Sequence, residues 1–451
     1  MKVAIIGMSG RFPGAKNAEE YWHNLANGIS SIVEMPKSRW DVDKHEVYSK
    51  WIGELADIDK FDPLFFNISP VEAEAMDPQQ RVFLEEAWKA LDDAGYSKHD
   101  SEPIQCGTYV GIMGNEYASM FYDKSFSHHA QIMTGNSSAI LAARLAYFLN
   151  LTGPAIAVNT ACSASLVATH LAYQALQTKE IDLAVAGGVN FYMAYESYKQ
   201  MCDAGMLSKD GKCYSFDDRA NGFVPGEGAG AIILKRLEDA VRDNDHIYGV
   251  IAASAINQDG KTNGITAPSV SSQIRLETEV YNKFNIDPET ISYIETHGTA
   301  TKLGDPMEIE ALTTTYRKFT DKKQYCAIGS VKSNIGHTSA AAGMASIQKV
   351  LLSLQNKKIP PSINYEKPNE NIDFENSPFF VNTKLNDWQT PNNEKRRSAV
   401  SSFGFSGTNA HLVIEEYALT PRPPLPEGEG ENIIVFSTKT EIAFQDTVKN
   451  L

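Results

Sequence analysis

Residues Val158 to Leu176 read VNTACSASLVATHLAYQAL, and the reading of this stretch decides the fold. A small apolar run, Gly153 to Val158, opens at a Gly-Pro break and leads into it. From Ala164 to Leu176 nearly every residue is apolar or small. The pattern predicts a short buried strand, a tight turn and a helix buried on most sides, with Cys162 where strand gives way to helix. A cysteine at the first turn of a helix faces unpaired backbone N–H groups and the positive end of the helix dipole, which favour thiolate over thiol. Cys162 is therefore a candidate nucleophile. The same position suits a buried structural cysteine that behaves as a small hydrophobe, and the stretch alone leaves both readings open.

Composition narrows the classes of function. A chain of 451 residues, 42% hydrophobic, has room for a large core divided into two or three units. Its formal net charge of -15 excludes nucleic acid as the main partner, since phosphate binding needs a clustered Lys/Arg excess. The five cysteines, at 106, 162, 202, 213 and 326, form no C-x-x-C pair and no metal-ligand spacing, so a reduced, cytoplasmic protein without a metal site is expected. No apolar run approaches membrane-spanning length, and the N-terminus starts directly as a strand, KVAIIG, without the features of an export signal.

Outward from Cys162, strands and helices alternate. Lys2 to Gly7 reads as a buried strand ending in a glycine-rich loop, GMSGRFPG; its glycines at 7, 10 and 14 do not make G-x-G-x-x-G, and Pro13 sits where a helix would start. Ser69, Pro70 and Glu72, then Asp77, Pro78 and Gln80, are helix-start signals. Leu84, Ala87, Trp88 and Leu91 mark the apolar face of the second helix, and Gly95 ends it. Gly107 to Met113, Ile181 to Gly188 and Ala229 to Leu234 read as strands, and Ala139 to Leu149 as a helix. A second series follows, with strands at Ile247 to Ala255, Ile291 to Glu295, Ala327 to Val331, Ser398 to Ser401 and Leu412 to Glu415. The class is α/β, and the element order suggests duplication without any residue-level repeat. After Tyr417 the composition changes to ALTPRPPLPEGEGEN, a linker, with Asn432 to Ser437 as the first strand of a further segment, as in a piece of a longer multidomain chain.

Three stretches in the second half place titratable residues at glycine-marked strand ends, where open α/β sheets bind ligands. They are Glu295 to Pro306, ETHGTATKLGDP; Val331 to Gly343, VKSNIGHTSAAAG; and Phe403 to His411, FGFSGTNAH. A lone histidine in such a loop is usually a satisfied hydrogen-bonding residue. Two of them, with a lysine and a helix-terminal cysteine, shift the balance toward a catalytic role. With TACSASL at Thr160 to Leu166 these motifs, in this order, resemble the β-ketoacyl synthase domain of bacterial modular polyketide synthases, in the thiolase superfamily. The likeness runs from about Val3 to Tyr417.

The resemblance implies a thiolase-like αβαβα five-layer fold built from two similar halves, residues 1–245 with the nucleophile and 246–417 with two catalytic histidines, followed by a linker and post-ketosynthase segment at 418–451. It implies an acyltransferase that is a homodimer, works beside neighbouring synthase domains and binds no cofactor of its own, its substrates arriving on the phosphopantetheine of an acyl carrier protein. Carried over by position, Cys162 takes the acyl chain, His297 and His337 bind the thioester carbonyl of a malonyl-type extender, and Lys332 holds His297. Backbone N–H groups of Cys162 and Phe405 form an oxyanion hole, and Phe405 gates the pocket. Thr299 and Thr301 meet the pantetheine arm, Asn334, Ser406 and Asn409 belong to the substrate-binding set, and Asp218 with Arg219 lies at the entrance.

Four positions depart from the commonest family pattern: Asn159 for Asp, Ala164 for Ser, Ala300 for the second Gly of HGTGT, and Ser406 for a Gly beside the gate. None removes a catalytic group, and all bear on pocket shape. Competing readings are a non-elongating relative that only transfers acyl groups and a chain-length-factor-like subunit. Relatives of the first kind commonly lack a histidine, and those of the second replace the nucleophile. A thiolase needs a second catalytic cysteine, whereas the only one after His297, Cys326, is outside any C-x-G motif. A Cys-His hydrolase leaves the second histidine and the lysine unexplained.

Overall fold

The apolar runs of the sequence become strands of one sheet in the computed structural model, which describes residues 1–97, 104–121, 129–390 and 394–417. The expected linker and the strand at Asn432 to Ser437 lie outside the described residues.

The first half comprises β1 (Val3–Arg11), α1 (Ala18–Ala26), a ribbon of β2 (Val33–Glu34) and β3 (Trp51–Ile52), α2 (Pro70–Ala75), α3 (Pro78–Asp93), β4 (Cys106–Gly111), α4 (His129–Gly135) and α5 (Ser138–Leu149). It continues through β5 (Ala155–Val158), α6 (Ala164–Gln177), β6 (Leu183–Asn190), α7 (Tyr195–Asp203) and β7 (Gly228–Arg236), with α8 (Leu237–Arg242) leading out. The second half has β8 (Gly249–Gln258), α9 (Val270–Lys283), β9 (Tyr293–Glu295), α10 (Gly304–Tyr316), β10 (Cys326–Gly329), α11 (Lys332–Ile335) and α12 (Ala342–Asn356). A ribbon of β11 (Lys358–Ile359) and β13 (Asn386–Asp387) flanks β12 (Phe379–Val381), and β14 (Arg397–Phe403) and β15 (Thr408–Glu415) complete it.

Among the described residues the main sheet has eleven strands, and its order exposes the duplication. In the first half the strands lie β5-β4-β6-β7-β1, and in the second β10-β9-β14-β15-β8, with β12 added at the edge. Pairing matches strand for strand: β4 is parallel to β5 and β6 as β9 is to β10 and β14, while β7 and β15 each run antiparallel to both neighbours. The halves join where β1 pairs antiparallel with β8, Val3 opposite Ile251. Helices α6 and α12 pack against each other between the two halves of the sheet, with α3 and α5 outside one half and α9 and α10 outside the other. This is the five-layer αβαβα arrangement.

The middle layer explains the composition of its helices. Residues 342–354 of α12 are all buried, so their polar side chains need internal partners. Gln348 donates to the Ser9 carbonyl at 2.8 Å, and Lys349 pairs with Glu295 at 2.7 Å with both side chains fully buried. Where α6 and α12 approach, Gly343 leaves the space that Leu166 fills: a Cβ there would lie 2.5 Å from Leu166 Cγ.

The capping signals act as expected, with Ser69 accepting from the Glu72 N–H and Asp77 from the Gln79 N–H. Two local expectations are corrected. The strand beginning at Lys2 does not stop at a glycine loop: β1 runs through Gly7 and Gly10 to Arg11. Those glycines serve close packing, since a Cβ on Gly7 would lie 2.4 Å from the Ala90 carbonyl oxygen and one on Gly10 2.6 Å from Gln348 Oε1. The strand ahead of Cys162 is not buried either. β5 is the outer strand of its half, and Ala155 and Ile156 are exposed.

Candidate active site

Two residues separate the end of β5 from a single 3-10 turn, Ala161–Ser163, that opens α6 and carries Cys162. Ala161 adopts left-handed backbone at φ +56°, a strained conformation for a residue with a Cβ. Side chains hold the turn: Asn159 Oδ1 accepts from the Ala161 N–H at 3.1 Å, and Ser163 donates to the Thr160 carbonyl at 2.9 Å. The Phe403–His411 stretch packs directly on it, because Gly404 has no Cβ to strike the Thr160 carbonyl, which would lie 2.3 Å away. That approach brings the backbone N–H of Phe405 to the sulfur of Cys162, beside the N–H of Cys162 itself. Burial pushes the Cys162 thiol above its ordinary range; the Lys332 charge and these two N–H groups oppose the shift. Net, the thiol form is favoured, whereas the helix terminus alone had pointed to thiolate.

The second half delivers the histidines. His297 follows β9, its backbone N–H and that of Gly298 donating to the two oxygens of buried Glu308 at 2.7 and 2.8 Å. Lys332, at the start of α11, donates to the His297 carbonyl oxygen rather than to the ring. The rings of His297 and His337 meet edge to face with centroids 5.5 Å apart. Burial first, and the Lys332 charge second, hold both imidazoles well below the usual histidine range, so both are neutral at pH 7. His337 Nδ1 accepts from the Ser339 N–H at 3.2 Å, which puts the ring proton on Nε2. His297 Nδ1 makes no hydrogen bond among the described residues. Burial depresses the Lys332 ammonium, with Glu295 and Glu308 acting in the opposite direction.

Cys162, His297, His337, Thr299, Thr301 and Phe405 all line one cavity of about 1030 Å³. Phe405 is 48% exposed at its wall. Thr299 and Thr301 share a hydroxyl contact of 3.2 Å, and Thr301 also accepts from the Gly304 N–H. Lys332 is buried behind this wall. Three other expected substrate contacts are elsewhere. Asn334 is buried with its amide donating to the Ile29 carbonyl at 3.1 Å, tying the loop after α1 in place. Asn409 is buried and donates to Asn257 and Asp259, so it positions Asp259, which does line the cavity. Ser406 is exposed and borders a separate shallow depression with Gly260 and Ile265. At the entrance, Asp218 pairs with Lys367 and Arg219 with Asp217 and Glu366; the cavity wall is made instead by the next residues, Asn221 to Phe223. His411 is a core residue held by Ser401 and Tyr281, and burial pushes it down to about 3.

Sequence reasoning missed Glu308, which continues the LGDP motif, and Asn190 and Ser339, which also line the cavity. Glu308 was detectable only as an acid two residues beyond the LGDP motif, in the first turns of α10.

This two-half architecture is that of thiolase-type condensing enzymes. The sequence model for "Beta-ketoacyl synthase, N-terminal domain" matches residues 1–240, that for "Beta-ketoacyl synthase, C-terminal domain" residues 248–366, and that for "Ketoacyl-synthetase C-terminal extension" residues 368–451. Polyketide synthase PksL of Bacillus subtilis is 58% identical over 97% of this chain, and the chain spans 10% of PksL. Polyketide synthase ThaG of Burkholderia thailandensis is 42% identical over 100% of this chain, which spans 8% of that protein. Among solved structures, the ketosynthase from module 6 of the bacillaene synthase of Bacillus subtilis superposes with a TM-score of 0.89 at 59% identity, covering 93% of this chain and 73% of that one. The oxazolomycin ketosynthase domain OzmH KS7 of Streptomyces albus gives a TM-score of 0.87 at 37% identity, covering 94% of this chain and 77% of that one. The chain belongs to the β-ketoacyl synthase family and is a ketosynthase domain of the polyketide synthase kind.

Proposed function

We propose that this ketosynthase is an elongating acyltransferase: it takes an acyl chain from an acyl carrier protein onto Cys162 and extends it by decarboxylative Claisen condensation with a malonyl-type thioester. The observation that carries the reading is the pair of neutral imidazoles, His297 and His337, lining the cavity of Cys162.

In the first step Cys162 Sγ attacks the thioester carbonyl, the pantetheine C–S bond breaks, and the leaving thiolate takes the proton that Cys162 gave up. The backbone N–H groups of Cys162 and Phe405, which both act on the Cys162 sulfur, stabilise the tetrahedral oxyanion in this reading. In the second step the malonyl carboxylate leaves as carbon dioxide and its electron pair becomes an enolate. Neutral imidazole N–H donors from His297 and His337 stabilise the enolate oxygen as its charge develops. The enolate carbon then bonds to the acyl carbon on Cys162, whose C–S bond breaks and returns the thiolate. Lys332 positions His297 through its carbonyl oxygen and draws the Cys162 thiol toward ionisation. Thr299 and Thr301 hold the pantetheine arm, and Phe405 gates the pocket. The non-elongating alternative leaves the second neutral histidine without a task.

The exposed outer strand β5, with Tyr147 of the adjacent α5 94% exposed, supports a homodimer in which a second copy covers this edge. Among the described residues no helix is long and apolar enough to cross a membrane. We assign the domain to the cytoplasm beside the carrier protein and other synthase domains, with residues 1–245 and 246–417 as its halves.

Intact-mass spectrometry with acyl pantetheine thioesters, followed by malonyl-loaded carrier protein, tests the function. The expected result is an adduct that requires Cys162 and then a carrier-bound chain two carbons longer. An adduct that transfers between carriers and never lengthens would overturn elongation.

A further inference from the structure

His337 is held at its backbone, at its ring edge and at one ring nitrogen, and the last of these depends on a side chain from the other half. The segment before β7 pins the backbone: the His337 N–H donates to the Val224 carbonyl at 2.7 Å, and the Gly226 N–H to the His337 carbonyl at 2.9 Å. The rings of Phe223 and His297 meet the imidazole edge to face, with centroids 5.2 and 5.5 Å away. Nδ1 accepts from the Ser339 N–H at 3.2 Å. Ser339, however, sits in left-handed backbone at φ +47°, a conformation that a residue with a Cβ resists. The contact to the ring therefore rests on whatever keeps Ser339 there.

Its side chain has one hydrogen-bond partner among the described residues, the Tyr192 hydroxyl, 2.8 Å from Ser339 Oγ, and both residues are buried. Tyr192 follows β6 and is itself fixed. Its N–H donates to buried Glu227 at 3.0 Å, and the same carboxylate takes the Leu55 N–H at 3.0 Å and the Arg39 guanidinium at 2.8 Å. An unbroken chain of contacts thus runs from Glu227 through Tyr192 and Ser339 to the imidazole. A neutral histidine donates from Nε2 only while Nδ1 serves as acceptor. Loosening Ser339 frees the ring to carry its proton on Nδ1 instead.

We propose that Tyr192 is a positioning residue for His337: its hydroxyl holds Ser339, whose N–H keeps the His337 proton on Nε2, where it serves the enolate oxygen of the malonyl-type thioester. The inference rests on His337 acting as that donor, as in the function proposed above. The nucleophile's half thereby contributes to the site of the second substrate.

Tyr192→Phe removes only the hydroxyl. Carbon dioxide release from malonyl-loaded carrier protein and acylation of Cys162 by an acyl pantetheine thioester are measured side by side in wild type, Tyr192→Phe, Ser339→Ala and the double variant. Each single change is expected to lower the ratio of release to acylation about five- to tenfold, the worth of one hydrogen bond. The double variant should lower it no further, because the two hydroxyls form one link. In 15N spectra of the histidine-labelled domain, with His337 assigned by its absence from His337→Gln, wild type shows the Nε2–H tautomer and Tyr192→Phe a mixture. An unchanged ratio in Tyr192→Phe, additive losses in the double variant or unmoved His337 signals would overturn the proposal. If wild type itself releases no carbon dioxide, the reading of His337 fails and this inference with it; release that is indifferent to Tyr192 defeats this inference alone.

Discussion

The two halves open their central helices in the same way and use the openings differently. Each has a 3-10 turn that begins in left-handed backbone, Ala161 at φ +56° and Ser339 at φ +47°, followed at once by α6 or α12. The turns pack against each other. The second residue of one is Cys162, and of the other Ala340, fully buried. In the first half the turn follows β5 almost immediately, whereas residues 330–338 intervene in the second and carry Lys332 and His337. Duplication thus supplies two adjacent helix starts of equal geometry. In the function proposed above, one start carries the nucleophile and the connection before the other carries the groups that act on the malonyl-type thioester.

The strongest way to break this comparison is to exchange the residues that distinguish the turns. Cys162→Ala should reduce acyl transfer at least about ten-thousandfold, and adding Ala340→Cys should restore nothing, because Ala340 does not reach the cavity. Acyl labelling at position 340 in the double variant would show that the turns are interchangeable. Next in size, His297→Ala or His337→Ala should each slow condensation about a hundred- to a thousandfold while Cys162 still takes an acyl group, as product analysis beside intact mass will show.

Much of this candidate site was legible because its residues follow apolar strands: Cys162 stands at a turn between a strand and a helix, and His297 and His337 stand beside glycines in the connections after β9 and β10. What was not legible depended on pairing across distance. Asn409 reads as a loop residue of the site, but its position opposite Asn257 turns its amide to Asp259. Asn334 reads the same way and is taken by the Ile29 carbonyl, far away in sequence. Gly7 and Gly10 look like a turn because a sequence does not show the helix packed against a strand. β5 looks buried because four apolar residues do not reveal that, among the described residues, no further strand covers them. Asn190 was hidden as the last polar residue of an apolar strand.

A smaller effect concerns how the second half reaches across to the first. Lys332 lowers the Cys162 thiol against the upward push of burial, and ionisation of a thiol rises with pH. Iodoacetamide labelling of Cys162 should therefore climb with pH through neutrality instead of holding a plateau into acid, as it would for a preformed thiolate. Lys332→Met should move the curve further alkaline and slow labelling at pH 7 about three- to tenfold. The smallest effect belongs to Ala300, buried at φ +61° where the family commonly has glycine. Ala300→Gly relieves about 1 kcal/mol of backbone strain and loses a methyl contact worth about 0.8 kcal/mol. Calorimetry should accordingly find a Tm within about 3 °C of wild type.

The division of labour itself is tested most directly by carbon dioxide release from malonyl-loaded carrier protein, measured in Cys162→Ala and in His337→Ala. Cys162→Ala is expected still to release carbon dioxide, because the histidines act on the malonyl thioester without the thiol, and release in His337→Ala is expected to fall about a hundred- to a thousandfold, although its Cys162 still accepts an acyl chain. Loss of release in Cys162→Ala with the fold intact, or undiminished release in His337→Ala, would contradict it.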